Sequence, residues 1–155
     1  MTAPNKVFEY PVVVHPHHTD YAGIVWHGTY VTWMEEARVE FLRSRHMSFA
    51  NWVASGVDLP VIDLSLRYRQ SLTMGATALV KTWLEPRRGV RLTWQYDIQN
   101  AATGQSCVEG TVVLVPVHSQ TRKVLRRLPD QMQSALDTVG STGSIMQRWD
   151  ENTRK

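Results

Sequence analysis

The chain of 155 residues has a single cysteine, Cys107, and no long apolar stretch. One thiol cannot form a disulfide within the chain or a thiolate cage around a metal, and this usage is typical of a reducing cytoplasm. The first ten residues show no basic start followed by an apolar run, and no segment approaches the roughly 18 apolar residues of a membrane span. We therefore expect a cytoplasmic protein that does not associate with a membrane.

Strong charge of one sign is also lacking. The formal net charge is +3, and the 20% of residues that are charged are spread along the chain. A dedicated nucleic-acid binder usually carries more positive charge, with exposed aromatic residues interleaved, so nucleic acid is not an expected partner. With 43% hydrophobic residues, a chain of this length can build one core without disulfides or metals.

Hydrophobic periodicity predicts one long helix and several strands. Residues 27–45 contain no proline, and their apolar residues recur at three- and four-residue steps, as on one face of a helix. Short helices are expected at residues 48–54 and 129–138. Strands are expected at residues 8–14, 59–68, 77–84, 90–98, 107–117 and 123–128. Short turns between the later strands favour an antiparallel sheet that wraps the long helix, which is an α+β fold.

The element order places one domain over residues 1–138. Residues 139–155 are rich in glycine, serine, threonine and charge, and we expect them to form a weakly ordered tail.

An acidic residue, Asp20, lies just ahead of the predicted long helix. A carboxylate near the partial positive charge and unpaired N–H groups of a helix start stays ionised at neutral pH, so it can act as a nucleophile or a base. The same N–H groups can hold an oxyanion, and Gly23 and Gly28 would let a substrate approach the backbone. On these grounds alone a purely structural alternative stays open, in which Asp20 is a helix or turn cap, Gly23 is a turn residue and His27 lies at the surface.

The segment around Asp20 resembles the signature of the 4-hydroxybenzoyl-CoA thioesterase family of hotdog-fold proteins. The matching residues are Asp20, Ala22, Gly23-Ile24-Val25, Trp26, His27, Tyr30 and Glu35-Glu36-Ala37-Arg38. The resemblance continues through Leu59-Pro60-Val61, Ser65-Leu66-Arg67-Tyr68 and Lys81-Thr82-Trp83-Leu84, and it covers about residues 7–128. The hotdog fold, an antiparallel β-sheet wrapped around one long α-helix, agrees with the predicted element order.

The resemblance implies roles for individual residues. Asp20 matches the catalytic carboxylate, which acts as a nucleophile or as a base toward water. His27 matches the helix-start position whose backbone N–H polarises the thioester carbonyl, and its side chain is a further candidate to assist. The implied substrate-binding residues of the helix-start loop are Gly23, Ile24, Val25 and Trp26. Strand residues of the partner subunit are expected to face the helix start, and the matching segment contains Ser65 and residues 67–71, with Arg67 and Ser71.

The implied activity is hydrolysis of a small aromatic or medium-chain acyl-CoA, with no metal or other cofactor. Family members pair so that each active site lies at a dimer interface, which implies a homodimer or homotetramer. The alternatives are a hydratase or dehydratase for acyl thioesters and a non-catalytic acyl-thioester binding protein of the same fold. A serine hydrolase of the α/β type is excluded, because the chain has no Gly-x-Ser-x-Gly elbow.

Three further groups of residues have both a functional and a structural interpretation. Arg87 and Arg88 with Arg91 form one basic group, and residues 122–127 form another; either could bind the phosphates of coenzyme A or be a solvated surface. The histidines at positions 15, 17 and 18 are not expected to bind a metal, because neighbouring residues seldom converge on one ion. Cys107 is expected to be buried and to pack in the core, and it is not expected to act as a nucleophile.

Overall fold

A computed structural model describes residues 6–87 and 89–137 of the chain. Its main sheet is antiparallel and contains β1 (Phe8–Val13), β3 (Val61–Tyr68), β4 (Thr77–Leu84), β5 (Leu92–Asn100) and β6 (Ser106–Leu114). The strand order is β1-β4-β5-β6-β3. A small second sheet pairs β2 (Val57–Asp58) with β7 (Val117–His118). This confirms the predicted antiparallel α+β architecture.

The long helix, α1 (Thr29–Ser44), packs on β1 and β4 and supplies one side of the core. The predicted apolar face is the face it buries, namely Tyr30, Trp33, Met34, Ala37, Phe41 and Leu42. Phe41 meets Phe8 of β1 and Trp94 of β5 edge-on, with ring centroids 5.6 and 5.0 Å apart. Burying side chains of this size stabilises the fold by roughly 1.5–3 kcal/mol each, so this face holds the helix on the sheet.

Two short helices and a 3-10 turn complete the described elements. The 3-10 turn is Pro16–His18, and the helices are α2 (Phe49–Ala54) and α3 (Asp130–Asp137). Ser48 caps α2, because its hydroxyl accepts the Asn51 N–H at 3.2 Å. Both predicted short helices are therefore present. Thr138, the predicted end of the last helix, and the predicted tail lie outside the described residues.

Strand β5 alternates as its sequence predicts. Leu92, Trp94, Tyr96 and Ile98 are 0–2% exposed and face the core. The residues between them are half-buried on the outer face of the sheet, where the Thr111 hydroxyl of β6 donates to Gln95 Oε1 at 2.7 Å. The sheet therefore has an apolar face toward α1 and a polar face away from it.

Strand β3 is an edge strand that α1 does not cover. Leu64 and Tyr68 are paired with Val112 and Val108, whose side chains are buried, so both lie on the helix side of the sheet. They are nevertheless 44% and 50% exposed. An apolar groove consequently runs between α1 and β3.

The predicted strand at residues 123–128 is wrong. Val124 forms a single bridge to Val117, because the chain reverses in a tight turn in which Arg122 N–H donates to His118 O at 2.8 Å. Strand β6 also ends at Leu114 instead of residue 117. Pro116 follows and has no N–H for a ladder. Among the described helices, none is long and apolar enough to cross a bilayer.

Candidate active site

Asp20 lies in a tight turn between the 3-10 turn and α1. Its Oδ1 accepts the backbone N–H groups of Ala22 at 2.8 Å and Ile24 at 3.4 Å, and its own N–H donates to Ile24 O at 2.8 Å. Gly23 closes the turn at φ +73°, a conformation that favours glycine. The carboxylate is half-buried, and its orientation is fixed by the backbone. Asp20 is thus a turn cap but not the cap of α1, which has no side-chain cap.

The start of α1 presents backbone N–H groups for which the described residues provide no acceptor. Thr29 N–H donates to Trp26 O at 2.9 Å and Val31 N–H to Gly28 O at 3.2 Å. Within the described residues, the N–H groups of His27 and Gly28 have no acceptor. Thr29 Oγ1 and Trp26 N–H both donate to His18 O, at 2.9 and 3.0 Å, which ties the helix start to the residues just before Asp20. These amides at the positive end of a helix are suited to hold an oxyanion.

The two glycines of this region differ in the space beside them. Nothing lies within 4 Å of where a Cβ on Gly23 would be, so the backbone there is open to a substrate. A Cβ on Gly28 would lie 2.2 Å from Cζ3 of Trp26. The expectation that Gly28 leaves room for a substrate is therefore wrong, because the indole already fills that space.

A cavity of about 220 Å³ adjoins the helix start. Seven of its eight lining residues belong to the set predicted for the site: Ile24, Val25, His27 and, from the segment 67–71, Tyr68, Arg69, Gln70 and Ser71. The remaining lining residue is Tyr30. The predicted residues Asp20, Gly23 and Trp26 belong to the same loop but are not among the lining residues.

Tyr68 belongs to the predicted segment 67–71, and it contacts the helix start of its own chain directly, which the resemblance did not specify. Its hydroxyl donates to His27 O at 2.7 Å, and its ring lies 5.8 Å from that of Tyr30. Burial raises the pKa of Tyr30 to about 12, so this phenol stays protonated at neutral pH. The sequence signal for Tyr68 was strand alternation, since Leu66 and Tyr68 share the inner face of β3.

Ser65 and Arg67 lie on the opposite face of β3. They pair with Thr111 and Glu109 and line a depression of the outer sheet face together with Gln95. Successive strand residues point to opposite faces, so neither side chain lines the helix-start cavity of its own chain. Their place in the site stays a prediction.

Three of the basic residues considered for coenzyme A phosphates have carboxylate partners, namely Arg87, Arg122 and Arg127. Arg87, with a side chain 15% exposed, pairs with Asp137 of α3. In the second basic group, Arg122 pairs with Asp58. Arg88 lies outside the described residues. The ion pair of Arg87 argues against the phosphate interpretation, which requires a guanidinium open to the ligand.

The three histidines before Asp20 stack on one another. The ring centroids of His17 and His18 are 4.0 Å apart, and His18 Nδ1 accepts the His15 N–H at 3.0 Å. Burial, followed by the neighbouring His17 and His15, lowers the pKa of His18 below its ordinary value. No group of three or more His, Cys, Asp or Glu residues in the described part of the chain could hold a metal ion.

A larger cavity, of about 390 Å³, lies beside the C-terminal half of α1. Its apolar lining includes Val39, Leu42, Phe49, Val53, Leu59 and Val61. Glu35 and Arg38 of α1 also line it, and Arg38 donates to the hydroxyl of Tyr96 at 3.1 Å. This cavity and the helix-start cavity lie at opposite ends of β3.

Comparison with known proteins gives a consistent result. The model of the thioesterase-like superfamily matches residues 14–136. A protein of Synechocystis sp. named as an esterase is 49% identical over 131 residues, covering 84% of this chain and 79% of that protein. YneP of Bacillus subtilis, named as an acyl-CoA thioesterase, is 32% identical over 70% of this chain and 78% of its own. A solved 1,4-dihydroxy-2-naphthoyl-CoA thioesterase from Synechocystis superposes with a TM-score of 0.79 at 25% identity, covering 86% of this chain and 98% of that one.

Proposed function

The chain belongs to the thioesterase-like superfamily, whose hotdog fold it shares, and from that premise we propose that it is an acyl-CoA thioesterase. It hydrolyses the thioester of an acyl-CoA to the free acid and coenzyme A. The observation that carries this proposal is the juxtaposition of Asp20 with the helix start. Two backbone N–H groups fix the carboxylate of Asp20. Two residues before it, the carbonyl oxygen of His18 accepts hydrogen bonds from the helix start, where the amides of His27 and Gly28 are unpaired.

The reaction uses both parts of this arrangement. The carbonyl oxygen accepts the His27 N–H, and the helix start stabilises the negative charge that grows on it. Asp20 either attacks the carbonyl carbon, giving an anhydride that water then hydrolyses, or removes a proton from the attacking water. In both routes the C–S bond breaks, water supplies the hydroxyl of the acid, and coenzyme A leaves as the thiol.

Replacing Asp20 with Asn tests the proposal. The amide oxygen of Asn can accept the same two backbone N–H groups, so the turn should be kept and only the charge lost. We expect kcat to fall by at least ~10²-fold, measured as thiol release with a chromogenic disulfide, while the Tm stays the same or rises. Asp130→Asn, an exposed carboxylate on α3, is the matched control. Near-normal turnover by Asp20→Asn would refute the catalytic role.

We also propose a homodimer, or a homotetramer built from it, that pairs β3 with β3 of a second copy. The two edges of the sheet differ. The edge strand β1 contains Pro11, which has no N–H to offer a neighbour, whereas β3 contains no proline. The free edge of β3 also presents Val61, Ile62, Leu64 and Tyr68, each 44–50% exposed.

Antiparallel pairing about a twofold axis would bring the Tyr68 end of one β3 against the Val61 end of the other. The helix-start cavity of one copy would then meet the larger cavity of its partner, and the active site would lie at the interface. Sedimentation should show a dimer or tetramer at micromolar concentration, and a charge at Leu64 (Leu64→Lys) should dissociate it and abolish hydrolysis. A fully active monomer would contradict this arrangement.

The acyl group we propose is small and aromatic or of medium chain length. Support comes from the apolar lining of the larger cavity and from the similarity to the 1,4-dihydroxy-2-naphthoyl-CoA thioesterase. Values of kcat/KM for benzoyl-, naphthoyl-, octanoyl-, palmitoyl- and acetyl-CoA test this class. The values of kcat/KM for benzoyl-, naphthoyl- and octanoyl-CoA should exceed those for palmitoyl- and acetyl-CoA. A preference for acetyl-CoA would overturn the proposed acyl class. A cytoplasmic location is part of the proposal, supported by the lone buried thiol of Cys107.

A further inference from the structure

We propose that Trp26 is a positioning residue whose indole, seated on Gly28, covers the start of α1, and that position 28 is glycine to make room for that ring. The inference rests on the proposed hydrolysis, since it concerns the amides that would hold the oxyanion. It assigns Gly28 a role opposite to the one its sequence suggests, because the glycine accommodates a side chain of the protein instead of the substrate.

The backbone of Gly28 gives no reason for glycine. Its φ of −81° and ψ of −20° are helical values that any residue adopts. As the N-cap of α1 it also leaves the helix without a side-chain cap, where Ser, Thr, Asp or Asn would stabilise the helix. Steric exclusion explains the choice: a Cβ would lie 2.2, 2.5 and 2.8 Å from three carbons of the six-membered ring of Trp26.

The ring is carried on a backbone that is held at both ends. Trp26 N–H donates to His18 O at 3.0 Å, and Trp26 O accepts Thr29 N–H at 2.9 Å. The indole lies 4.7 Å from the ring of His27 and is still 51% exposed. Trp26 is therefore not a core residue. The indole contacts both residues that carry the unpaired amides, His27 and Gly28.

This placement affects the strength of the oxyanion site. The unpaired N–H groups of His27 and Gly28 would otherwise be solvated, and water weakens any charge interaction made there. An apolar ring on one side of the helix start limits that solvation. It also fixes the His27 ring and the peptide that follows it. Removing the ring should therefore lower kcat more than it raises KM.

A double-mutant cycle tests the coupling between the two residues. The variants are Trp26→Ala, Gly28→Ala and the double variant, with Trp83→Phe on the outer sheet face as the control for a lost indole. We expect about a tenfold lower kcat in Trp26→Ala, equivalent to ~1.4 kcal/mol, and a similar loss in Gly28→Ala, whose Cβ displaces the ring. In the Trp26→Ala background, Gly28→Ala should cause no further loss, because the obstructing ring is gone.

Each alternative gives a different pattern. If Gly28→Ala lowers kcat by the same factor in both backgrounds, the glycine serves the approach of the substrate and the proposal is wrong. Unchanged kcat in both single variants also overturns it, as does a loss of activity that only follows the loss of folded protein in Tm measurements.

Urea denaturation tests the same contact without depending on the reaction. Gly28→Ala should lower the midpoint of unfolding more in the parent chain than in Trp26→Ala, where only the cost of alanine at the N-cap remains. Equal effects in both backgrounds would refute the contact between the indole and Gly28. If the parent chain hydrolyses no acyl-CoA, the proposed function fails. The coupling seen in denaturation then still decides whether Trp26 sits on Gly28.

Discussion

Removing the hydroxyl of Tyr68 should separate the two contributions of its hydrogen bond to His27 O. The bond is 2.7 Å long and joins an exposed strand residue to the exposed start of α1. A hydrogen bond of this kind contributes ~0.5–1.5 kcal/mol, and water can replace it when the carbonyl is exposed. Tyr68→Phe should therefore cost under about 1 kcal/mol of stability, or a Tm shift of roughly 2–4 °C at most.

The effect on the reaction should be larger than the effect on stability. Water can satisfy His27 O, but it does not fix the direction of the peptide that joins His27 to Gly28, whose C=O and N–H point in opposite directions. If the full bond energy serves to hold that peptide, kcat falls by a factor of about 2 to 13 with little change in KM.

Steady-state thiol release with a saturating acyl-CoA measures this effect. Tyr10→Phe is the matched control, because it removes a tyrosine hydroxyl that donates to Glu36 at 3.0 Å, away from the helix start. Equal kcat values for Tyr68→Phe, Tyr10→Phe and the parent chain would show that the bond to His27 O does not position the site. A rise in KM alone would assign Tyr68 to substrate binding instead.

Three other predictions concern stability. Gly110→Ala places a Cβ 2.8 Å from Met34 Cε, so it should lower the free energy of unfolding in urea by about 1 kcal/mol, and by less in a Met34→Leu background. Because the pKa of His18 is lower in the folded state, the free energy of unfolding should decrease as the pH falls below about 6.5, the pKa of histidine in the unfolded chain. His18→Asn keeps an acceptor for the His15 N–H, and it should make the urea midpoint less dependent on pH. Arg87→Gln and Asp137→Asn should each lower the Tm slightly, and the double variant should lower it by less than the sum of the two, because both remove the same ion pair. The KM for acyl-CoA should not change. A raised KM in Arg87→Gln would indicate that Arg87 binds a coenzyme A phosphate.

The parts of the fold that follow from local pattern could be predicted from the sequence. The buried face of α1 and the alternation of β5 are set by periods of 3.6 and 2, and both are found as predicted. The segment 123–128 has the residue types of a strand, but it meets β7 only at the single bridge between Val124 and Val117, because β7 itself is two residues long. Pairing partners are fixed by tertiary arrangement, so composition alone overestimated this strand.

Local spacing could predict the candidate site only along one loop, and the segment 67–71 came from the resemblance alone. Residues close in sequence, such as Ile24, Val25 and His27, do share a cavity. Contacts between distant segments had no local signal, and the bond from Tyr68 to His27 joins residues 41 positions apart. The opposite faces of Ser65 and Tyr68 follow from strand alternation, but the resemblance implies the matching segment as a block and does not distinguish the face on which each residue lies.

The capping and catalytic interpretations of Asp20 are compatible, and this explains why spacing alone left them open. A catalytic carboxylate must be held in place, and the backbone N–H groups of Ala22 and Ile24 hold it by the geometry of an ordinary turn cap. The cap requires only an acceptor oxygen at that position, which Asn also supplies. The reaction requires the negative charge and the basicity that come with it. The two roles therefore differ in charge and not in contacts, so the substitution that keeps every hydrogen bond of the turn is the one that separates them.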